Sequence, residues 1–466
     1  VQLRDYQSSA IADVTAAHRR GNHGVLLTMP TGSGKTVVFS SIASGLAQAN
    51  YCTLIVVPQV ELVRQTSNKL RMFGCRHGVI AASDGPNPDP TALVQVAMVQ
   101  TLRNRPRAMI REPNYLIYDE AHLAVADTFA AIRDRYPRAR RLGVTATPWR
   151  LDGKPFHDLA SEIVAGPSVR DMVARGALVP FRTLSIPLTE FAAKGRQSTE
   201  FARSAMAEAY KTNALVGDVI EHYHQLAADR TGIVFAASID HSRMLTERFI
   251  RSGIVAEHLD GTTPMGDRGD GARGLPTRIG ITERLEFGIT QVICNYGVLT
   301  TGFDCPRVSA IVVARATASK SLWIQMAGRG LRPCPEIGKT DCLILDHGGN
   351  ARRHGNLDYQ HVYTLDGRDK TPRNAPEPDA TRGKESPQCY LFQPVAEPTC
   401  AQCGHQWQMV LTGKPEPRTV DGQLVDVGRG AAPVAVRPGE GGKMHNQQSK
   451  AAAVERARGW ASGWGG

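Results

Sequence analysis

The sequence predicts an α/β protein: two tandem parallel-sheet domains followed by a short, partly disordered tail. Three observations predict it. From Val1 to about residue 180, short apolar, β-rich runs alternate with helical patterns. The same alternation returns from about Met206 to Thr364. From about Arg368 onward, proline, charge and small residues take over. Alternating β and α patterns are the signature of a parallel sheet covered by helices.

The first stretch offers strands at Val25–Met29, Thr53–Val57, Leu93–Ala97, Tyr115–Tyr118 and Arg141–Thr145. The second offers Gly232–Phe235, Gln291–Asn295, Ala310–Val313 and Cys342–Leu345. Each stretch is the size of one doubly wound domain. The expected limits are 1–185 and 206–365, with residues 366–466 as linker and tail. Ile186–Thr199 is polar and weakly patterned and reads as the connection.

The 466 residues carry a formal charge of +11, and 42% are hydrophobic. Such a chain can bury real cores, and its charge favours a polyanionic partner. The tail from residue 366 holds 13 Lys/Arg against 11 Asp/Glu, so the surplus sits in the two domains. Nine unevenly spaced cysteines do not form a disulfide framework. No apolar run approaches the length of a membrane span, and no signal segment is visible. The chain reads as soluble and cytoplasmic, with no membrane partner.

Met29-Pro-Thr31-Gly32-Ser33-Gly34-Lys35-Thr36 lies between an apolar run and a helical one. That context defines a phosphate-binding loop. Gly32 and Gly34 let main-chain N–H groups turn toward phosphate oxygens. Lys35 reaches the β- and γ-phosphates, and the Thr36 hydroxyl binds Mg²⁺. Thr31 and Ser33 complete the loop. Some 85 residues on, Leu116–Asp119 ends an apolar strand in two carboxylates, Asp119 and Glu120. Asp119 suits an Mg²⁺ ligand, and Glu120 suits activation of the attacking water. ATP and Mg²⁺ are therefore the expected ligands.

With Ala121 and His122, these carboxylates resemble the DEAD/DEAH box of superfamily-two helicases, and the other motifs of that family follow in order. Leu3–Gln7 is similar to the segment whose Arg and Gln grip adenine, here Arg4 and Gln7. Val57–Leu62 resembles motif Ia, Gln95–Thr101 motif Ib, and Thr145–Pro148 motif III. Val234–Ala236 resembles motif IV, Leu299–Asp304 motif V, and Gln325–Arg332 motif VI. The resemblance covers about residues 1–350. It implies two RecA-like domains with ATP in the cleft between them. It also implies Thr145 and Thr147 as coupling residues, Gly302 and Asp304 beside the nucleotide, and Gln325 in the catalytic set. Arg329 and Arg332 would enter from the second domain to neutralise charge on the γ-phosphate, an effect of roughly 10³–10⁵ in rate where measured.

The substrate expected is DNA. Val298–Pro306 and Gln325–Pro333 are similar to the branch holding RadD-like helicases, XPB-like proteins and restriction motors. Gly338–Asp346 extends the RadD-like match. The Ser-Ala-Thr of RNA helicases is absent from motif III. By resemblance Gln59, Gln100, Thr101 and Thr300 would lie near the strand, contacting its backbone. An ATP-dependent DNA helicase or translocase follows, with repair, recombination or phage DNA metabolism as its setting and proteins of replication or repair as partners. An ATP-gated DNA-remodelling module and a restriction motor are the alternatives, the latter needing a nuclease on another chain.

Two features lie outside the motifs. Gly269–Arg278 reads as a Gly-rich inserted surface loop. Cys400-Ala-Gln-Cys403-Gly-His405 has zinc-knuckle spacing, but its partner Ser386-Pro-Gln-Cys389 has Ser in place of a first Cys. Segment 386–405 thus resembles a degenerate zinc ribbon. Cys389, Cys400, Cys403 and His405 would complete a four-ligand site, or the segment is a remnant without metal.

Overall fold

The computed structural model describes residues 2–81, 89–104, 110–123, 127–149, 154–185, 213–266, 276–359 and 362–366, with short pieces between 383 and 428. No helix among them is long and apolar enough to cross a membrane.

The first sheet is built from β1 (Gly24–Thr28), β2 (Thr53–Val57), β3 (His77–Ile80), β4 (Val94–Met98), β5 (Tyr115–Asp119), β6 (Arg140–Thr145) and β7 (Glu162–Ala165). Its strand order is β3-β4-β2-β5-β6-β1-β7, and every pairing is parallel. All residues of β1, β2 and β5 are buried. Strands covered on both faces need continuous apolar runs, and this is why these were readable from sequence.

The second sheet begins with β8 (Phe181–Ser185), then β9 (Gly232–Ala236), β10 (Ala256–Leu259), β11 (Val292–Asn295), β12 (Ala310–Ala314) and β13 (Cys342–Asp346). Its order is β10-β11-β9-β12-β13-β8, again parallel. β8 pairs with β13, so residues 181–185 belong to the second sheet although they precede the connection. In the tail, β14 (Gly383–Glu385) and β15 (Phe392–Pro394) form an antiparallel hairpin. β16 (Val425–Asp426) adds antiparallel to β8. All nine strands expected from sequence are present, with ends shifted by one residue at most.

Buried polar groups fix the second domain around its site. Asp346 ends β13 fully buried, and its carboxylate accepts from Ser185 Oγ (2.8 Å), Gly348 N (3.2 Å), Asn350 Nδ2 (2.8 Å) and Ala351 N (2.7 Å). Trp323, also fully buried, donates Nε1–H to Gly355 O at 3.0 Å. It anchors the helix that carries motif VI. Linker residues 186–199 and most of the Gly-rich loop lie outside the described residues.

His347 follows Asp346 and stacks obliquely on His222, with ring centroids 5.3 Å apart. Burial, reinforced by His222 and His241, pushes the His347 pKa down to about 3. Burial takes His241 to about 4. Both rings are neutral when folded, whereas an unfolded His titrates near ~6.5. Below that pH the unfolded chain binds protons that the folded one refuses. Stability is therefore complete above about pH 6.5 and falls on acidification toward pH 4, by ~1 kcal/mol per histidine at pH 5.5. Urea unfolding at pH 7.5 and 5.5 should show this loss. His347→Phe should remove only that histidine's share, ~1 kcal/mol, because His241 and the similarly buried His354 still resist protonation; an unchanged loss in that variant would refute the assignment.

Candidate nucleotide site and interdomain cleft

The loops that matter all leave the C-terminal ends of strands, where open α/β sheets bind ligands. The phosphate loop follows β1. Asp119 ends β5, and Thr145 ends β6, the strand between them. From the second sheet, the Leu299–Asp304 loop follows β11, and the helix Lys320–Ala327 follows β12.

Gly32 (φ +83°) and Gly34 (φ +82°) take the left-handed conformation that the loop's tight curl requires. Gly34 caps the helix Lys35–Gln48. A Cβ at Gly34 would meet Gln7 Nε2 at 2.6 Å. That contact is functional packing. Gln7 Nε2 donates to Ser33 O at 3.2 Å, and its Oε1 accepts from Arg4 N at 3.0 Å. Tyr6 OH donates to the same Ser33 carbonyl at 3.1 Å, and Arg4 Nη1 donates to Tyr6 OH at 3.2 Å. Gln2–Tyr6 and Arg175–Ala177 line a cavity of about 560 Å³ beside this clamp. The resemblance pointed to Arg4 and Gln7; Tyr6 was not foreseen, and only its place between them could have signalled it.

Lys35 Nζ donates to Met29 O (3.4 Å) and Pro30 O (3.2 Å). Burial lowers its pKa, while Glu120 and Asp119 oppose the shift. Burial and the Glu120 carboxylate push Asp119 up to about 7, against the pull of Lys35. Glu120 sits at φ +51°, one of two non-glycine residues in left-handed backbone among the described residues. Such strain is held where surrounding structure demands it, often at functional sites. Glu120 Oε2 is buried without a hydrogen bond and lies 3.4 Å from His122 Nδ1.

His122 joins three motifs. Its Nδ1 lies 3.0 Å from Thr145 Oγ1, and Gln325 Nε2 lies 3.1 Å from its Nε2 across the cleft. The Gln325 amide nitrogen can only donate, so His122 Nε2 accepts and Nδ1 carries the proton. Thr145 Oγ1 donates to Thr147 O (3.2 Å) and accepts from Thr147 N (3.0 Å). Burial lowers the His122 pKa, which favours this neutral form.

The two arginines of motif VI stand differently. Arg329 is buried, and its donors reach Thr300 O (Nη2, 2.6 Å; Nε, 3.2 Å) and Phe303 O (Nη1, 2.6 Å). Burial and the nearby Arg332 lower its pKa to about 10, so it stays charged at neutral pH. Arg332 pairs with Asp304, and its Cγ lies 3.3 Å from where a Cβ on Gly32 would sit. Arg332 thus packs on the phosphate loop itself. Gly328 meets Thr31 as closely: an added Cβ would stand 3.0 Å from Thr31 Cβ.

Of the residues expected near a nucleic-acid strand, Gln59 accepts from Thr301 Oγ1 at 2.7 Å across the cleft. Thr300 offers its carbonyl to Arg329. Gln100 is exposed and Thr101 half-buried, on the short helix Val99–Arg103. Gly302 (φ +71°) abuts Gln59 and Glu61. Thr36 is the second residue of the helix Lys35–Gln48. Cys389, Cys400 and Cys403 lie outside the described residues. Among the described residues, His405 included, no group is arranged to hold a metal ion, and nothing there supports zinc.

Two parallel sheets, with a glycine-rich loop after β1 on one and paired arginines on the other, define a two-domain core of RecA-like fold. The family model for the type III restriction enzyme res subunit matches residues 1–150. A 51.5 kDa protein of a Lactococcus phage is 27% identical over 386 residues, covering 82% of this chain and 78% of its own length. The DNA 3'-5' translocase XPB2 of Sulfurisphaera tokodaii is 24% identical, over 71% of this chain and 79% of its length. Two yeast relatives are matched over only 51% and 58% of their length. The fold is shared with a fragment of a type I restriction HsdR subunit from Vibrio vulnificus (TM-score 0.55, 21% identity, 78% of this chain and 70% of that one). With the motif set, these matches support assignment of the chain to the superfamily-two helicases.

Gly34→Ala tests the loop directly. The new methyl meets Gln7 and forces φ +82° on a chiral residue. ATP affinity, read with a fluorescent analogue, should fall at least ~10-fold, with a stability loss of ~1–3 kcal/mol. Unchanged affinity would show that the clamp does not shape the site.

Proposed function

We propose that the chain is an ATP-dependent DNA motor, a translocase or helicase that hydrolyses ATP as its two domains close. The observation that carries this is the His122 bridge, which joins the catalytic Glu120 region of one domain to Gln325 of the other.

The roles follow from position. Thr31–Lys35 cradle the phosphates, with Arg4 and Gln7 at the base and Gly302 and Asp304 beside the nucleotide, Asp304 paired with Arg332. Thr36 and Asp119 are hard oxygen donors of the kind Mg²⁺ prefers, and the buried Asp119 gains from such a cation. Mg²⁺, when bound there, neutralises charge on the phosphate oxygens. Glu120, with one carboxylate oxygen free of hydrogen bonds among the described residues, orients and deprotonates water. Arg332 meets the γ-phosphate charge from the opposite domain. Arg329 holds the Thr300–Phe303 loop, next to the Arg332 that serves hydrolysis. Gln59, Gln100, Thr101 and Thr300 face the strand by their place at strand C-termini. DNA as substrate is supported by the translocase relative and by the restriction-motor family match. That same match favours the restriction-motor reading as the second possibility.

ATPase rates of the wild type and of Glu120→Gln, with single-stranded DNA, duplex DNA, forked DNA or RNA, test the reading. DNA should stimulate the wild type strongly, and Glu120→Gln should lose at least ~10²-fold of that rate. Stimulation by RNA alone would overturn the substrate, and stimulation by nothing would overturn the motor.

A further inference from the structure

We infer that Arg278 is a positioning residue that latches the second domain onto the helix that begins within motif Ia, and so sets how readily the cleft closes. Arg278 ends the segment that sequence reads as a tolerated insertion, and it opens the helix Arg278–Phe287.

The latch is built in steps. Asp260, almost fully buried after β10, accepts from Thr262 N (2.7 Å), Thr262 Oγ1 (2.7 Å) and Thr263 N (3.1 Å). His258 Nε2 lies 3.0 Å from its other oxygen. These bonds make the Gly261–Thr263 turn rigid. The turn's carbonyls then hold the guanidinium: Nη2 donates to Gly261 O at 2.8 Å and Nε to Thr263 O at 3.0 Å. With two sides of the fork committed, Nη1 faces Glu61 Oε1 across the cleft at 3.3 Å.

Glu61 occupies the first turn of the helix Val60–Met72, where the helix dipole favours a carboxylate. It sits between two other interdomain contacts on that helix end. Gln59 accepts from Thr301, and Gln65 donates to Gly302 O. The first domain meets the second on the phosphate side, through Arg332 and Gly328, at His122–Gln325 and at Trp149–Ser321. It also meets it along this polar line, which needs no nucleotide contact.

Only 21% and 31% of the two side chains are exposed. Exposed ion pairs contribute little, chiefly because ordering long side chains costs entropy. Here the carbonyls have already ordered the arginine. About fivefold in the closing equilibrium is the expected effect, the upper end for a partly exposed pair.

This inference rests on the reading of the cleft as one that closes on ATP. Small-angle scattering of the full chain, titrated with a non-hydrolysable ATP analogue and Mg²⁺, reads closure without DNA or turnover. Glu61→Gln and Arg278→Met should each raise the midpoint for compaction about fivefold, and the double variant no further than either single one. Salt near 1 M should erase the difference. Should Arg278→Met fold poorly, Arg278→Lys replaces it: one ammonium cannot hold both carbonyls and the carboxylate. Wild-type midpoints in the single variants, or a double variant near ~25-fold, overturn the latch. No compaction of the wild type sinks closure itself. A compacting protein without DNA-stimulated hydrolysis keeps the latch and loses only the DNA motor.

Discussion

In the proposed motor, the whole arrangement depends on carrying positive charge from one sheet to a phosphate held by the other. Lys35 and the phosphate loop belong to the first sheet, Arg329 and Arg332 to the second. Charge on opposite walls acts strongly only when the walls meet and water leaves. Small residues permit that approach. Gly328 lets the motif VI helix touch Thr31, and Gly32 lets Arg332 lie on the loop. Behind these contacts stand devices that hold each wall rigid: Trp323 under the helix, Asp346 at the end of β13, and Gln7 and Tyr6 under the loop.

Rigidity on each side makes the gap between them the natural variable. His122 reports on that gap, because its tautomer serves Thr145 on one side and Gln325 on the other. Motif V is held twice, by Arg329 through its carbonyls and by Gln59 and Gln65 from the first domain. In the proposed reading, a change at the phosphate reaches the loop assigned to nucleic acid through short, hydrogen-bonded steps. Such coupling requires a two-state element, and the domain pair supplies one.

Much of this was legible in the sequence, for physical reasons. The central strands are buried on both faces and must read as apolar runs, and the phosphate loop needs Gly and Lys at fixed spacing. Edge strands were not legible. β3 begins with His77, and β10 is Ala256-Glu-His-Leu259; both are short and carry polar residues because one side is open. β8 escaped assignment because its partner, β13, lies some 160 residues away. Side-chain commitments were also hidden. Nothing in Gly330's neighbourhood says that Arg329 spends its donors on carbonyls, or that Arg278, in an apparently dispensable loop, reaches Glu61. Those facts depend on folding geometry that no local pattern encodes.

The most direct test of the central claim separates binding from turnover in Arg332→Ala. The side chain is partly exposed and pairs with Asp304, so its removal should leave the fold intact. ATP affinity, measured with the fluorescent analogue, should stay within about threefold of wild type. The hydrolysis rate at saturating ATP and DNA should fall by roughly 10³. Equal losses in affinity and rate, or a rate near wild type, would contradict a charge delivered across the cleft.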